Sequence, residues 1–392
     1  MQLSLRPQIT QFAHLLQSAL FPVLEEAVGE LGKSAQRLVA TLEMIPLARF
    51  VPCSRGWMGR PSKDRYAIAC AFVAKTVYGF STTRQLLEAL QRDEPLRRIC
   101  GWESARQVPH EATFSRAFAE FAHMQLPQFV HEALIRETQQ ERLIGHIARD
   151  STAIEAREHY PETPAQAKMR KTKQTTGRPR SKKGRGPHKR HKGGKRPYLP
   201  QPDTRLERQR GMKLPEMLAD LPQQCDLGGK KNSHGNTQYW RGYKLHLDVA
   251  DGQIPISAVL SSASLHDSQV AIPLATMSTQ RVAYCYELMD SAYEAHHIVE
   301  QSRQLGHVPI VDPAERGRKQ PGFLATPPRE LSPAQRQRYK ERTMVERVNA
   351  RLKDEFGGRF VRVRGPAKVM AHLMFGVLAL TADQWLRLGQ TG

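Results

Sequence analysis

Residues 142–157 read RLIGHIARDSTAIEAR, and residues 282–290 read VAYCYELMD. Both runs are rich in aliphatic, aromatic and β-branched residues, the composition of strands. In the first, Ile144, His146, Ala148 and Asp150 share one phase of a two-residue repeat. The second ends on Asp290. Each therefore reads as a strand with a carboxylate near its C-terminal end, where a sheet with helices on it exposes its ligand-binding groups. A strand-terminal aspartate can equally cap the next turn, so neither residue alone decides a function.

Between and beyond these runs the pattern continues. Residues 239–264 (YWRGYKLHLDVADGQIPISAVLSSAS) give two strands flanking Asp251-Gly252, a strong hairpin signal. A helix is expected after His266-Asp267, with Asp267 as its N-cap, and another over SAYEAHHIVEQSRQLG. HVPIVDP (307–313) makes a further strand, a Pro-rich loop spans 313–333, and a long helix is expected from about Ala334 to Glu355. The order strand, hairpin, helix, strand, helix, strand, helix predicts a mixed sheet with helices packed on it.

The first 135 or so residues read differently. Helical periodicity recurs over 13–31, 35–45, DRYAIACAFVAKTVYGF, TTRQLLEALQRD, EATFSRAFAEFAHM and from Pro127 onward, joined by short turns. We read 1–135 as a small helical domain for DNA binding or assembly, and 136–392 as a second domain. That second domain is interrupted by an insertion over about 160–235, mostly irregular with one short helix near Lys213–Leu221.

Charge is concentrated in the insertion. The chain carries 59 Lys and Arg against 38 Asp and Glu, a net charge of +21. Fourteen of the cations, and no acid, fall between Thr163 and Pro202. The other 352 residues hold 45 cations against 38 acids, a net +7. Such a stretch cannot build an apolar core and is suited to a polyanion, so nucleic acid is the expected partner. Its densest part includes Lys182, Lys183, Arg185, Lys189 and Arg190, which are expected DNA contacts.

Other classes are disfavoured. The 5 cysteines contain no CxxC pair and read as isolated thiols of a reducing cytosol. The longest apolar stretch, Val369 to Ala382, is shorter than the ~20 residues of a membrane span. GRGPHKRHKGGK has neither the GK[ST] ending nor the preceding strand of a Walker A loop, so no use of ATP is expected. Glu155 and Glu158 could compete with Asp150 as ligands but are expected to face solvent, and Tyr239 and Trp240 could stack on a flipped base but are expected to join the core.

Residues 339–353 read YKERTMVERVNARLK. On one helix, Tyr339, Arg342, Glu346 and Lys353 fall within roughly 60° of one another at about 100° per residue. A solvated face with an Arg342–Glu346 pair, worth ~0.3–0.5 kcal/mol, would give the same pattern. The spacing Tyr339-x2-Arg342-x3-Glu346-x6-Lys353, however, resembles without substitution the Y-x2-R-x3-E-x6-K signature of bacterial insertion-sequence DDE transposases. DSTAIEAR, RGYKLH, SLHDS and LMDSAY resemble further landmarks of that family, so 142–388 looks like its RNase H-like catalytic domain. Residues 47–120 resemble its helical N-terminal domain. Two departures are the basic insertion and Ser291 where glycine is commoner.

The resemblance implies an α/β fold, an RNase H-like mixed sheet after a small all-helical domain. It implies that Asp150, Asp290 and Glu346 are the catalytic carboxylates and bind two Mg²⁺ ions, with Mn²⁺ as a substitute. Asp150 would bridge both ions, Asp290 hold one and Glu346 the other. Tyr339, Arg342 and Lys353 would contact phosphates and DNA ends. The implied activity is cleavage at the element's terminal inverted repeats and strand transfer to target DNA, with a homodimer holding two ends at the nucleoid. A catalytically inactive or domesticated DNA-binding regulator, and a basic RNA-binding protein, are the alternatives.

Overall fold

The computed structural model describes residues 29–51, 63–139, 141–158, 204–231, 236–313 and 330–390. Six helices come first: α1 (Lys33–Met44), α2 (Arg65–Val77), α3 (Thr83–Arg92), α4 (Glu94–Ile99), α5 (Glu111–His123) and α6 (Leu126–Gln139). α2 is apolar all round and is buried from Ala67 to Val77, which is what a helix without a polar face requires. Asp64 starts it by accepting from the Tyr66 and Ala67 amides. α4 was not expected from the sequence. Asp93 closes α3 and at once caps α4 through the Leu96 amide, with proline tolerated in the first turn.

The sheet is built on β1 (Leu143–Glu155). On one side it pairs antiparallel with β3 (Thr237–Ala250), whose far edge carries β4 (Ile254–Ser262) and β2 (Asp226–Lys231). On the other side β1 pairs parallel with β5 (Ala283–Met289), and β5 parallel with β6 (Val308–Val311). An antiparallel meander followed by parallel crossovers, with helices on both faces, is the RNase H-like arrangement. The hairpin turns at Asp251 and Gly252, the latter at φ 83°, as its sequence predicts. Gly242 sits at φ 152° where β3 passes between β1 and β2, and a Cβ there would overlap the Ile154 carbonyl.

Alternation sorts the faces. Ala148, Leu245, Leu247 and Leu288 pack with Met344, Val345 and Val348 of helix α12 (Thr343–Asp354). The opposite face meets α9 (Ala271–Thr279) and α10 (His296–Gln304). Helix α13 (Pro366–Gln390) joins the two halves of the chain, packing on α1, α2, α5, α6 and β4. Phe375 of α13 lies 5.8 Å from the Phe72 ring and 6.2 Å from that of Phe118. α13 is long and apolar enough to cross a membrane, yet 83% of its most apolar window is buried within the protein. It is a core helix.

Four expectations need correction. β1 continues past Asp150 to Glu155, because β3 pairs with it down to Gly242, so Asp150 lies inside the strand. Within the expected insertion, α8 (Leu214–Ala219) is the short helix foreseen near Lys213–Leu221, but α7 (Arg205–Gln209) and β2 are regular elements where irregular chain was expected. The long helix over 334–355 is broken. α11 (Pro333–Tyr339) gives way to a 3₁₀ turn, Lys340–Arg342, before α12. The Thr343 hydroxyl donates to the Lys340 carbonyl there, which favours the tighter turn. Finally, His266 rather than Asp267 caps the helix after β4, and Asp267 pairs instead with Lys244 Nζ at 2.8 Å. Lys182, Lys183, Arg185, Lys189 and Arg190 lie outside the described residues.

Candidate active site

Three elements bring three carboxylates to one place. Asp150 points from β1 towards α12, since Arg149 beside it takes the opposite face. Asp290 follows β5 and caps a 3₁₀ turn by accepting from the Ala292 amide at 3.0 Å. Glu346 stands in the first turn of α12. Arg342 ties them together. Its Nη1 lies 2.7 Å from Glu346 Oε1, and its Nη2 lies 3.7 Å from Asp150 Oδ1 and 3.8 Å from Asp290 Oδ2. The site opens outward from Asp150, whose side chain is 15% exposed, through Asp290 at 34% to Glu346 at 54%.

Burial pushes the Asp150 carboxyl up to about 6, and the neighbouring Asp290 adds to this, although Arg342, the Ser151 amide and Lys230 pull the other way. Arg342 itself is held in its charged form: burial opposes the charge, and Asp150, Tyr339, Asp290 and Glu346 outweigh it. Its Nε is buried without a hydrogen-bond partner among the described residues. Tyr339 is half-buried next to the same group. Its hydroxyl is pushed up to about 12, first by burial and then by Asp312, Asp290 and Glu346, against the pull of Arg342.

The sequence placed Tyr339, Arg342 and Glu346 on one face, and the structure brings them together with Asp150 and Asp290. Lys353 lies further along α12. Burial lowers its ammonium, as do Arg359 and Lys230, while Glu155 and Asp354 work against this. Of the residues weighed as competing ligands, Glu155 is exposed, as expected. Glu158 is not free: its Oε1 accepts from the Tyr243 hydroxyl at 2.9 Å and the Gly365 amide at 2.7 Å. Tyr239, expected in the core, is 69% exposed. Trp240 is half-buried and donates to the Tyr243 carbonyl at 3.0 Å.

Sequence reasoning missed the layer behind the site. Arg149, one residue before Asp150, is fully buried and pairs with both oxygens of Asp248 at 2.8 Å. It also reaches Glu287 at 3.4 Å and the Met289 sulfur at 3.5 Å. Ser278 of α9 completes Asp248, and Ser302 of α10 and Tyr284 complete Glu287. The cluster spans β3, β1 and β5 beneath α9 and α10, so it fixes the strands on which Asp150 and Asp290 are mounted. The signal was present: LHLDVA and CYELM each set one carboxylate into an apolar run, and IARD sets Arg149 beside Asp150. Nearby, burial alone would raise the Asp267 carboxyl, but His246, Lys244 and the Ser151 hydroxyl hold it below its ordinary range.

Residues 141–382 match the family described as Transposase DDE domain. The chain belongs to this family. Residues 25–120, which take in most of the helices before β1, match a second description, Transposase domain (DUF772). Together the two matches make the chain an insertion-sequence DDE transposase, and its sheet order agrees with that family's RNase H-like fold. No curated protein and no solved structure matches the chain.

Proposed function

We propose that this transposase cleaves DNA at the ends of its element and joins the 3′-OH ends to target DNA, with Asp150, Asp290 and Glu346 as its catalytic carboxylates. The observation that carries the reading is the convergence of these three acids, from β1, β5 and α12, on the single guanidinium of Arg342. Structural ion pairs rarely gather three acids around one partly exposed arginine. A site that must attract cations and phosphate does.

The chemistry of the donor set suits a divalent metal, while in the free protein Arg342 stands among the three carboxylates and their oxygens are not drawn together as a metal's ligands would be. The three carboxylates are hard oxygen ligands of the kind Mg²⁺ and Mn²⁺ select. Positive charge beside the raised Asp150 carboxyl would draw it back towards its ordinary range. Two Mg²⁺ ions held by Asp150, Asp290 and Glu346 would stabilise the attacking and leaving oxygens of an in-line phosphoryl displacement. Arg342 then turns from the carboxylates to the scissile phosphate, for which its planar fork is suited. The Tyr339 hydroxyl stays protonated at neutral pH and can donate to the same phosphate. Lys353 meets the DNA backbone further along the helix. Two element ends must be held at once, which makes a homodimer the smallest working assembly. Phosphoryl transfer of this kind uses the bond energy of DNA itself, so no ATP is required. The chain acts on double-stranded DNA in the cytoplasm, at the nucleoid.

The helices up to residue 135 serve DNA recognition or assembly, and residues 136–392 serve catalysis. A labelled duplex carrying the element's own ends tests the reading. Cleavage with Mg²⁺ and none with EDTA is the expected result, and binding without cleavage under both conditions would favour the inactive regulator.

A further inference from the structure

A second basic site lies where the helices before β1 meet the sheet domain. A cavity of about 640 Å³ opens there, lined by Arg84, Arg157, Arg362, Arg364 and Lys368, with Lys75 also in its wall. Glu111 is the acid in that lining, 4.0 Å from Arg84. Arg84, Arg157, Arg362, Arg364 and Lys368 are exposed, and apart from Arg84 they have no acidic partner among the described residues. Lys75 is the unusual member. It is only 9% exposed on the apolar helix α2, and no carboxylate pairs with it among the described residues. Burial lowers its ammonium to about 8, and its charge helps to hold the buried His372 imidazole down. An unpaired cation at that depth is costly unless an anion comes to it.

The surroundings say which anion. The loop carrying Arg362 and Arg364 leaves the end of α12 and is fastened to the end of β1 by the Gly365–Glu158 hydrogen bond. Arg157, two residues past the end of β1, is the neighbour of Glu158. Lys353 and Arg359 lie between Glu346 and Arg362 in the chain, and Lys230 is close enough to both Asp150 and Lys353 for its charge to be felt at each. Arg157 stands seven residues beyond Asp150, two of them past the end of β1, which carries the cavity up to ~23 Å from Asp150 at about 3.3 Å per residue. That is about six to seven base pairs of duplex at ~3.4 Å each. The N-terminus of α3 faces the same space and adds its favourable dipole.

We propose that this cavity clamps the sugar-phosphate backbone of the DNA duplex about half a helical turn inward from the end held at Asp150, Asp290 and Glu346. The proposal rests on the transposase reading and adds to it a second contact that fixes where along the duplex the scissile phosphate falls. It also gives the helical segment and the sheet domain one common ligand, and explains why a cation is buried at their junction.

The test uses the full chain and a fluorescent random-sequence duplex of about thirty base pairs, with affinity measured between about 50 and 200 mM salt. The triple variant Arg362→Gln/Arg364→Gln/Lys368→Gln should bind more weakly and lose about 2–3 units from the slope of log K against log salt, at ~0.9 per lost phosphate contact. A slope equal to that of the wild type overturns the clamp while leaving the family reading intact. A wild-type chain that binds no duplex at all overturns the transposase reading and the clamp with it. Lys75→Met separates ligand binding from folding. It should weaken duplex binding yet raise the melting temperature of the free protein, because a buried unpaired charge is removed. A lower melting temperature with unchanged affinity would make Lys75 a structural residue and overturn its place in the clamp.

Discussion

At the scale of single residues, Arg342 occupies the position of greatest consequence. Its guanidinium lies within ion-pair reach of three carboxylates in the free protein, and under the proposed function it is the group that would turn to the DNA phosphate. Its spacing from Glu346 was legible, because i and i+4 side chains meet on any helix. Its contacts with Asp150 and Asp290 were not, because they depend on how α12 docks on β1 and β5. Arg342→Ala and Lys353→Ala should each weaken binding to element ends and strand transfer together. Each should also flatten the salt dependence of binding by about one unit of slope. Unchanged slopes in titrations at several salt concentrations would return both side chains to an ordinary solvated face.

At the scale of elements, the site depends on strand alternation. Period two sends Asp150 to the α12 face and Arg149 to the α9 and α10 face, so one strand carries both the candidate ligand and its support. Arg149→Met should therefore cost about 3–5 kcal/mol in urea unfolding, since Asp248 and Glu287 would be left buried without their cation. A loss below ~1 kcal/mol would mean that the cluster does not hold the strands. The same alternation explains what could be read in advance. β1, β3, β4, β5 and β6 announce themselves through apolar, β-branched and aromatic runs, and α2 and α5 through continuous helical patterning. β2 does not, because DLGGKK has no apolar phase and becomes a strand only by pairing with the exposed start of β3. The break between α11 and α12 was hidden too, since a 3₁₀ turn preserves the helical look of the sequence. RFVRVRG (359–365) alternates like an edge strand, so Arg362 and Arg364 could be connected with Lys75 and Arg84 only through the fold.

At the scale of the whole molecule, two further histidines report on the packing of the helices before β1 against the rest. His131 of α6 reaches the Pro255 carbonyl at 3.1 Å, and burial, with Arg281, pushes its imidazole down to about 3. His372 of α13 is pushed down to about 4 by burial and Lys75, against its bond to the Gly357 carbonyl. Both values lie below the ~6.5 of an unfolded chain, so as pH falls the unfolded state takes up protons first. The stability they contribute is complete above about 6.5 and drains away towards 4, at up to about 1.4 kcal/mol per pH unit for each group. Melting temperature should accordingly drop between pH 7 and 5.5, and a flat profile would contradict the neutral buried state of both. The basic segment acts on the same scale. Removing residues 163–202 takes away fourteen cations. It should lower nonspecific DNA affinity and its salt dependence, through reduced counterion release, while leaving the preference for element ends. Equal affinity of the deletion and the parent at low and moderate salt would exclude a DNA-gripping role. The most direct test is single-turnover cleavage of an end-bearing duplex in Mg²⁺ by the wild type and by Asp150→Asn, Asp290→Asn and Glu346→Gln separately. Each substitution should reduce cleavage by more than the ~10–100-fold typical of losing an outer metal partner, with end binding largely retained. Near-normal cleavage by any one of the three would show that the residue is not a catalytic carboxylate.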